Sequence, residues 1–199
     1  SGDSGDIYQY RALHGARAKI RSMLSEIHQL GYSKRQPFSI GRVEKRMSDF
    51  ADNNGIRLSS KSVYFSAKGI THALRESKQA KGLVVSDKDF IRFPDSRKTM
   101  DLYYDGDKFI YTDYKTKFII HPNYELKIKG RKTTRVNLVT AGKVTNPIEF
   151  QMKNTEKYKK KVERQGRIAH HLFLAEAMPP FRTSWLYPTF SNCKVTTNI

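Results

Sequence analysis

The densest meeting of chemically useful side chains is Lys68-Gly69-Ile70-Thr71-His72-Ala73-Leu74-Arg75. On a helix Lys68, His72 and Arg75 fall at i, i+4 and i+7 and share a face. An imidazole titrates at about 6.5, which suits proton transfer at neutral pH, and cations beside it would lower that value while gripping a phosphodiester. Cleaving RNA needs little more: a base for the 2′-OH, an acid for the 5′-oxygen and positive charge for the oxygens between. A histidine at the edge of a solvated basic helix produces the same spacing, so the trio nominates a chemistry without establishing one.

A second group is spread over residues 117–140. Regular strands there put Glu125, Lys127 and Lys129 on one face, opposite Tyr124, Leu126 and Ile128. Farther on, Arg135 and Asn137 share a face, while Thr134, Val136, Leu138 and Thr140 share the other. The basic faces suit phosphates; the polar side of any half-buried sheet looks similar. His121, before Pro122, reads first as a turn residue. The run from Lys153 to Arg167, with Lys157, Lys159, Lys160, Lys161 and Arg164 against Glu156 and Glu163, could follow a nucleic-acid backbone. Neither HExxH nor any other metal-ligand spacing occurs, nor a phosphate loop, dinucleotide fingerprint or nucleophile elbow. Neither a metal nor a cofactor is expected. The lone Cys193 excludes an internal disulfide framework and a four-cysteine zinc site.

Composition bounds the reading. The 199 residues carry 37 Lys+Arg against 19 Asp+Glu, a net charge of +18, well above the magnitude of about 2–8 that suffices to keep a small domain soluble. Self-repulsion on that scale costs stability and favours a polyanionic partner, nucleic acid or an acidic protein. No apolar run approaches the length of a membrane span, and residues 1–6 lack the features of a signal peptide, reading instead as a linker or cloning remnant.

The elements that must position these groups follow from periodicity. Tyr10, Leu13, Ile20, Leu24 and Ile27 predict an amphipathic helix over 8–30, stopped at Gly31. Val43, Met47 and Phe50 predict a second after Pro37, ending at Asn53-Asn54-Gly55. Period-two pairs, Ile56/Leu58 and Val63/Phe65, predict one or two short strands. Ile70, Ala73 and Leu74 predict a helix over 68–79, and Ser86 with Asp89 caps a short helical turn. Residues 98–144 read as an antiparallel meander with hairpins at Asp105-Gly106 and Lys129-Gly130. The expected fold is α+β: N-terminal helices (7–55) on a sheet of four or five antiparallel strands (core 56–146), then a basic helix (147–178) and an aromatic tail (179–199) that packs against something.

Within 56–144, Gly69-Ile70-Thr71-His72-Ala73-Leu74, the meander, and the closing Arg135-Val136-Asn137-Leu138-Val139-Thr140 resemble the barnase–EndoU–colicin–RelE group of small ribonucleases, in its phage and polymorphic-toxin branch. The resemblance implies a metal-independent endoribonuclease toxin, with transfer RNA a plausible target, delivered or secreted to act in the cytoplasm of a target cell. It also implies an acidic immunity protein as partner, and the chain is expected as a monomer. By position it nominates His72 as acid/base and Thr140 as its partner, with Lys68 close by; Arg75, Lys127, Lys129, Asn137, Lys159, Lys160 and Arg164 would hold RNA. Two departures stand. Gly142 replaces an aromatic frequent in the group, and regular alternation turns Thr140 towards the core. Either a bulge re-aims it, or Arg135 and Asn137 are the partners. The competing reading is a nucleic-acid-binding or virion-associated protein without catalysis.

Overall fold

Ile20, Met23, Leu24 and Ile27 stand at i, i+3, i+4 and i+7 and are all buried, which sets the inner stripe of helix α1 (Asp3–Leu30). A computed structural model describes residues 3–150 and 159–164 of the chain. In it α1 stops at Gly31, whose φ of 78° is the left-handed conformation a glycine supplies after a helix. The helix already starts at Asp3, within the stretch expected to be a linker. Tyr10 is 64% exposed, so the packed stripe begins only near Ala16.

The helix expected directly after Pro37 begins later. Phe38 and Ile40, buried two residues apart, belong to strand β1 (Phe38–Arg42), and helix α2 is Lys45–Asn53. Ile56 and Leu58 lie in a loop, and strand β2 is confined to Ser62–Phe65. The helix expected over 68–79 is two: α3 (Ala67–Ala73) and α4 (Glu76–Ala80), with Arg75 at the start of α4. Ser86 caps Asp89 N as its spacing implies, but α5 (Asp87–Ser96) is a full helix because Phe90 and Phe93 are buried. Phe93 stacks on Phe118 at 4.2 Å between ring centres and meets Tyr111 edge-on at 5.5 Å.

Strands β3 (Asp101–Tyr104), β4 (Phe109–Thr112), β5 (Thr116–Ile128) and β6 (Arg131–Lys143) form the meander. The two strands read at 117–121 and 124–129 are one, continuing through Pro122 with an extra residue between the pairs His121↔Asn137 and Tyr124↔Arg135. Beyond the meander the sheet grows to seven strands, ordered β1-β2-β6-β5-β4-β3-β7, where β7 is Lys160–Val162. It is mixed, since β2 runs parallel to β6. The α+β class therefore stands, while the count of four or five strands and the purely antiparallel character are corrected. Strand β2 falls where Val63 and Phe65 predict one, whereas short β1 and β7 are not marked in the sequence because each gains its stability from neighbours remote in sequence.

The expected basic helix is corrected where it is described: Pro147–Phe150 is a 3-10 turn and Lys160–Val162 a strand. The remainder of 147–178, apart from residues 159–164, and the aromatic tail 179–199 lie outside the described residues.

One face of the sheet carries the main core, with Val63, Phe65, Leu102, Phe109, Phe118, Ile120, Val136 and Leu138 packed with the inner residues of α1, α2 and α5. Two arginines enter this side as structural groups. Arg97, 2% exposed, donates to the carbonyls of Arg42 and Pro94, and Arg46 donates to Arg97 O at 2.9 Å. Glu44 answers their charge, 3.1 Å from Arg46 and 3.8 Å from Arg97, and accepts from Tyr111 Oη at 2.8 Å.

Helix α3 is seated by a single close approach. A Cβ at Gly69 would stand 2.2 Å from Leu138 O, so only glycine lets the helix lie this near β6. Ser66 caps α3 by accepting from Gly69 N at 3.2 Å, and buried Asn137 donates to Ser66 Oγ at 3.3 Å. Gly69→Ala is therefore expected to cost about 1–3 kcal/mol of unfolding free energy by overpacking, read as a lowered urea midpoint.

Candidate functional site

Because α3 is held against β6, its outer face opens on a groove of about 480 Å³ lined by Tyr32, Ser33, Ala67, Lys68, Thr71, His72 and Arg75. The trio nominated from spacing is thus brought together, although Arg75 lies beyond the end of α3 rather than on a continuous helix. Arg75 donates to His72 Nε2 at 2.8 Å. A guanidinium has no acceptor, so the neutral ring carries its proton on Nδ1 and keeps its lone pair on Nε2. Partial desolvation, then the charges of Arg75, Lys78 and Lys68, hold the imidazole below the usual histidine value. The ring is exposed and unprotonated at neutral pH, which is the form a general base needs.

Thr140 leaves the core through a bulge. Ile119 pairs with Thr140 and Ile120 with Leu138, so Val139 is an extra residue on β6. The buried apolar side chains accordingly run Val136, Leu138, Ala141, and Thr140 moves to the opposite face beside Ile119. It meets Lys78, which sequence reasoning missed: Lys78 Nζ donates to Thr140 Oγ1 at 2.8 Å and to Ala141 O at 2.6 Å. Burial, followed by the nearby charges of Arg75 and Lys117, lowers this ammonium to about 8. Gly142 accounts for the room. A Cβ there would come within 3.3 Å of Lys78 Nζ and 3.4 Å of Leu83 O, so the aromatic frequent in the resembling ribonucleases would displace the lysine. A glycine inside a strand marks such close approaches, and it was the one available signal for Lys78.

The other nominated residues separate. Asn137 is fully buried and supports Ser66, so it presents nothing to RNA in this structure. Arg135 stays on the sheet face, its guanidinium 5.5 Å from the centre of the Tyr64 ring, and donates to Thr133 and Thr134. Lys127 and Lys129 are exposed at the β5–β6 hairpin. Lys159 is paired with Glu149 at 3.4 Å, and Arg164 donates to the carbonyls of Lys98, Thr99 and Met100, so both act as structural ties. Lys160 is exposed on β7, four strands from β6 and about 19 Å across the sheet. His121 accepts from Asn123 N at 3.0 Å, shaping the β5 irregularity.

The arrangement supplies an unprotonated imidazole, cations beside it, and a half-buried ammonium bonded to a hydroxyl. Among the described residues no three His, Cys, Asp or Glu side chains converge as a metal site requires. Comparison with family models, with curated proteins and with solved structures yields no match for this chain.

An NMR titration of isotopically methylated lysines should show one resonance moving with a midpoint of about 8, where an ordinary lysine titrates near 10.5. That resonance should vanish in Lys78→Arg. The folded state releases this proton more readily than the unfolded chain, so the contribution of Lys78 to stability rises with pH between those two values.

Proposed function

We propose that the chain is an endoribonuclease that cleaves RNA by attack of a 2′-OH on the adjacent phosphorus, without a metal. The observation that carries the reading is the His72 ring, exposed, bonded to Arg75 and pushed towards its neutral form beside Lys68 and Lys78. His72 Nε2 accepts the 2′-OH proton once an incoming phosphate draws Arg75 aside. The 2′-oxygen bonds to phosphorus as the bond to the 5′-oxygen breaks, and the ammonium of Lys78 supplies the proton that the leaving oxygen takes up. Products are a 2′,3′-cyclic phosphate and a 5′-hydroxyl. Arg75 and Lys68 meet the charge developing on the non-bridging oxygens.

Such a reaction requires a base that is free of its proton and an acid that still holds one near neutral pH; His72, lowered below the usual histidine value, and Lys78, lowered only to about 8, form such a pair. The resemblance of 56–144 to small toxin ribonucleases supports the same reading. It adds a toxin delivered into a target cell, transfer RNA as substrate, and an acidic immunity protein that would cover this basic surface. Thr140 acts in this scheme through Lys78, as a positioning residue.

Purified protein should cleave total RNA, keep doing so in EDTA, and lose at least a hundredfold in rate on His72→Ala with its circular dichroism unchanged. Magnesium-dependent cleavage, or salt-sensitive binding with no products, would sink the mechanism. The rate should rise through an acid limb centred below 6.5 and fall through an alkaline limb centred at about 8. The sign follows from the roles: the base must be unprotonated and the acid protonated. Lys78→Arg, charged throughout, should remove the alkaline limb while His72 continues to set the acid one.

A further inference from the structure

Away from the His72 groove, α1 and α5 pack side by side and gather four cations along their shared rim. Arg17 and Arg21 stand one turn apart on α1, Lys88 and Arg92 one turn apart on α5; with Ile91 they line a cleft of about 370 Å³. Packing does not demand this arrangement, since the inward stripes of the two helices are Ile20, Met23, Leu24, Phe90 and Phe93. Like charges at i and i+4 destabilise a helix, and here two such pairs line one cleft. Neighbouring acids offset little of it. Asp95 lies 3.8 Å from both Arg17 and Lys98, and Asp87 is held by His28 at 2.9 Å. Among the described residues no ion pair reaches Arg21, Lys88 or Arg92. Arg17 Nε is out of contact with solvent and has no hydrogen-bond partner. A buried Nε without a hydrogen-bond partner, on a guanidinium that Asp95 meets only at 3.8 Å and that sits among converging cations, is a setting that an anion completes.

We infer that the α1–α5 cleft is a second phosphate-binding site, holding a backbone phosphate of the RNA strand whose scissile linkage enters the His72 groove. The inference rests on the ribonuclease reading for its substrate. Phosphate fits better than an acidic protein because the cleft offers no aromatic anchor and a single aliphatic side chain, where protein interfaces centre on buried aromatics. Helix α1 also connects the two places. From Arg17 to Leu30 it rises about 20 Å, and Tyr32, two residues on, lines the His72 groove. An oligonucleotide bridges that distance and a dinucleotide does not.

The test uses the full chain carrying His72→Ala, with and without Arg21→Gln and Arg92→Gln, titrated with a single-stranded RNA dodecamer over a salt series. Each lost phosphate contact reduces the slope of log affinity against log salt by about 0.7, so the pair should flatten it by about 1.4, with several-fold weaker binding at physiological salt. Folding should be at least as stable, because repulsion is relieved. With His72 intact, the same pair should leave dinucleotide cleavage unchanged and raise KM for long RNA. An unchanged salt slope overturns the inference, whether an acidic protein takes the cleft or water does. A flattened slope in a protein that cleaves nothing keeps the cleft and removes the ribonuclease reading; cleavage with an unchanged slope does the reverse.

Discussion

The contact on which the site depends is between a missing side chain and a carbonyl: Gly69 against Leu138 O. It lets a seven-residue helix, too short to persist alone, lie along β6 where β2 leaves off, capped by Ser66 and steadied by buried Asn137. Every feature of the groove descends from it. Lys68 and His72 face outward because Gly69, Ile70 and Ala73 face inward, and the helix ends where Arg75 can turn back to the imidazole. A scaffold atom, not a reactive one, thus decides where the chemistry is presented.

Positive charge has two separate uses in this molecule. Arg46 and Arg97 are withdrawn from water and held by Glu44, by backbone carbonyls and by packing near Tyr111, with only Nη1 of each left without a hydrogen-bond partner, so they belong to the core. Lys159 and Arg164 tie the outer strand. Around His72 the opposite holds: burial and then the neighbouring cations depress both titrating groups, Arg75 acting on His72 and on Lys78 alike. A net charge of +18 conceals this division, because charge that stabilises and charge that destabilises count equally in a sum.

What could be read before the fold was known were patterns that are local. The α1 stripe, the Gly31 stop, the Ser86 cap, the meander and the Lys68–His72–Arg75 trio all rest on residues within a few positions of one another. The errors share the opposite character. Strand β1 was hidden because Val43, Met47 and Phe50 suggested a helix beginning too early, and β7 because Lys160–Val162 is stabilised only by distant β3. The bulge in β6 is one of two alternatives the residues leave open, since no propensity marks the extra residue, and Lys78 finds its partners Thr140 and Ala141 some sixty positions away. Asn137 reads as polar and available; burial and its bonds to Ser66 and Leu138 leave it polar but out of reach.

Helix α1 spans about 42 Å, yet among its described side chains the buried ones begin only near the middle, at Ala16. Cooperative helix formation therefore starts from the docked half and propagates outward into turns that bury little, with Ile7, Tyr8 and Tyr10 left in water. Backbone amides along this one element should lose protection progressively towards the N-terminus, the outer turns exchanging by fraying and the inner ones only when the globule itself opens. A single continuous helix would then report two very different free energies, one at each end.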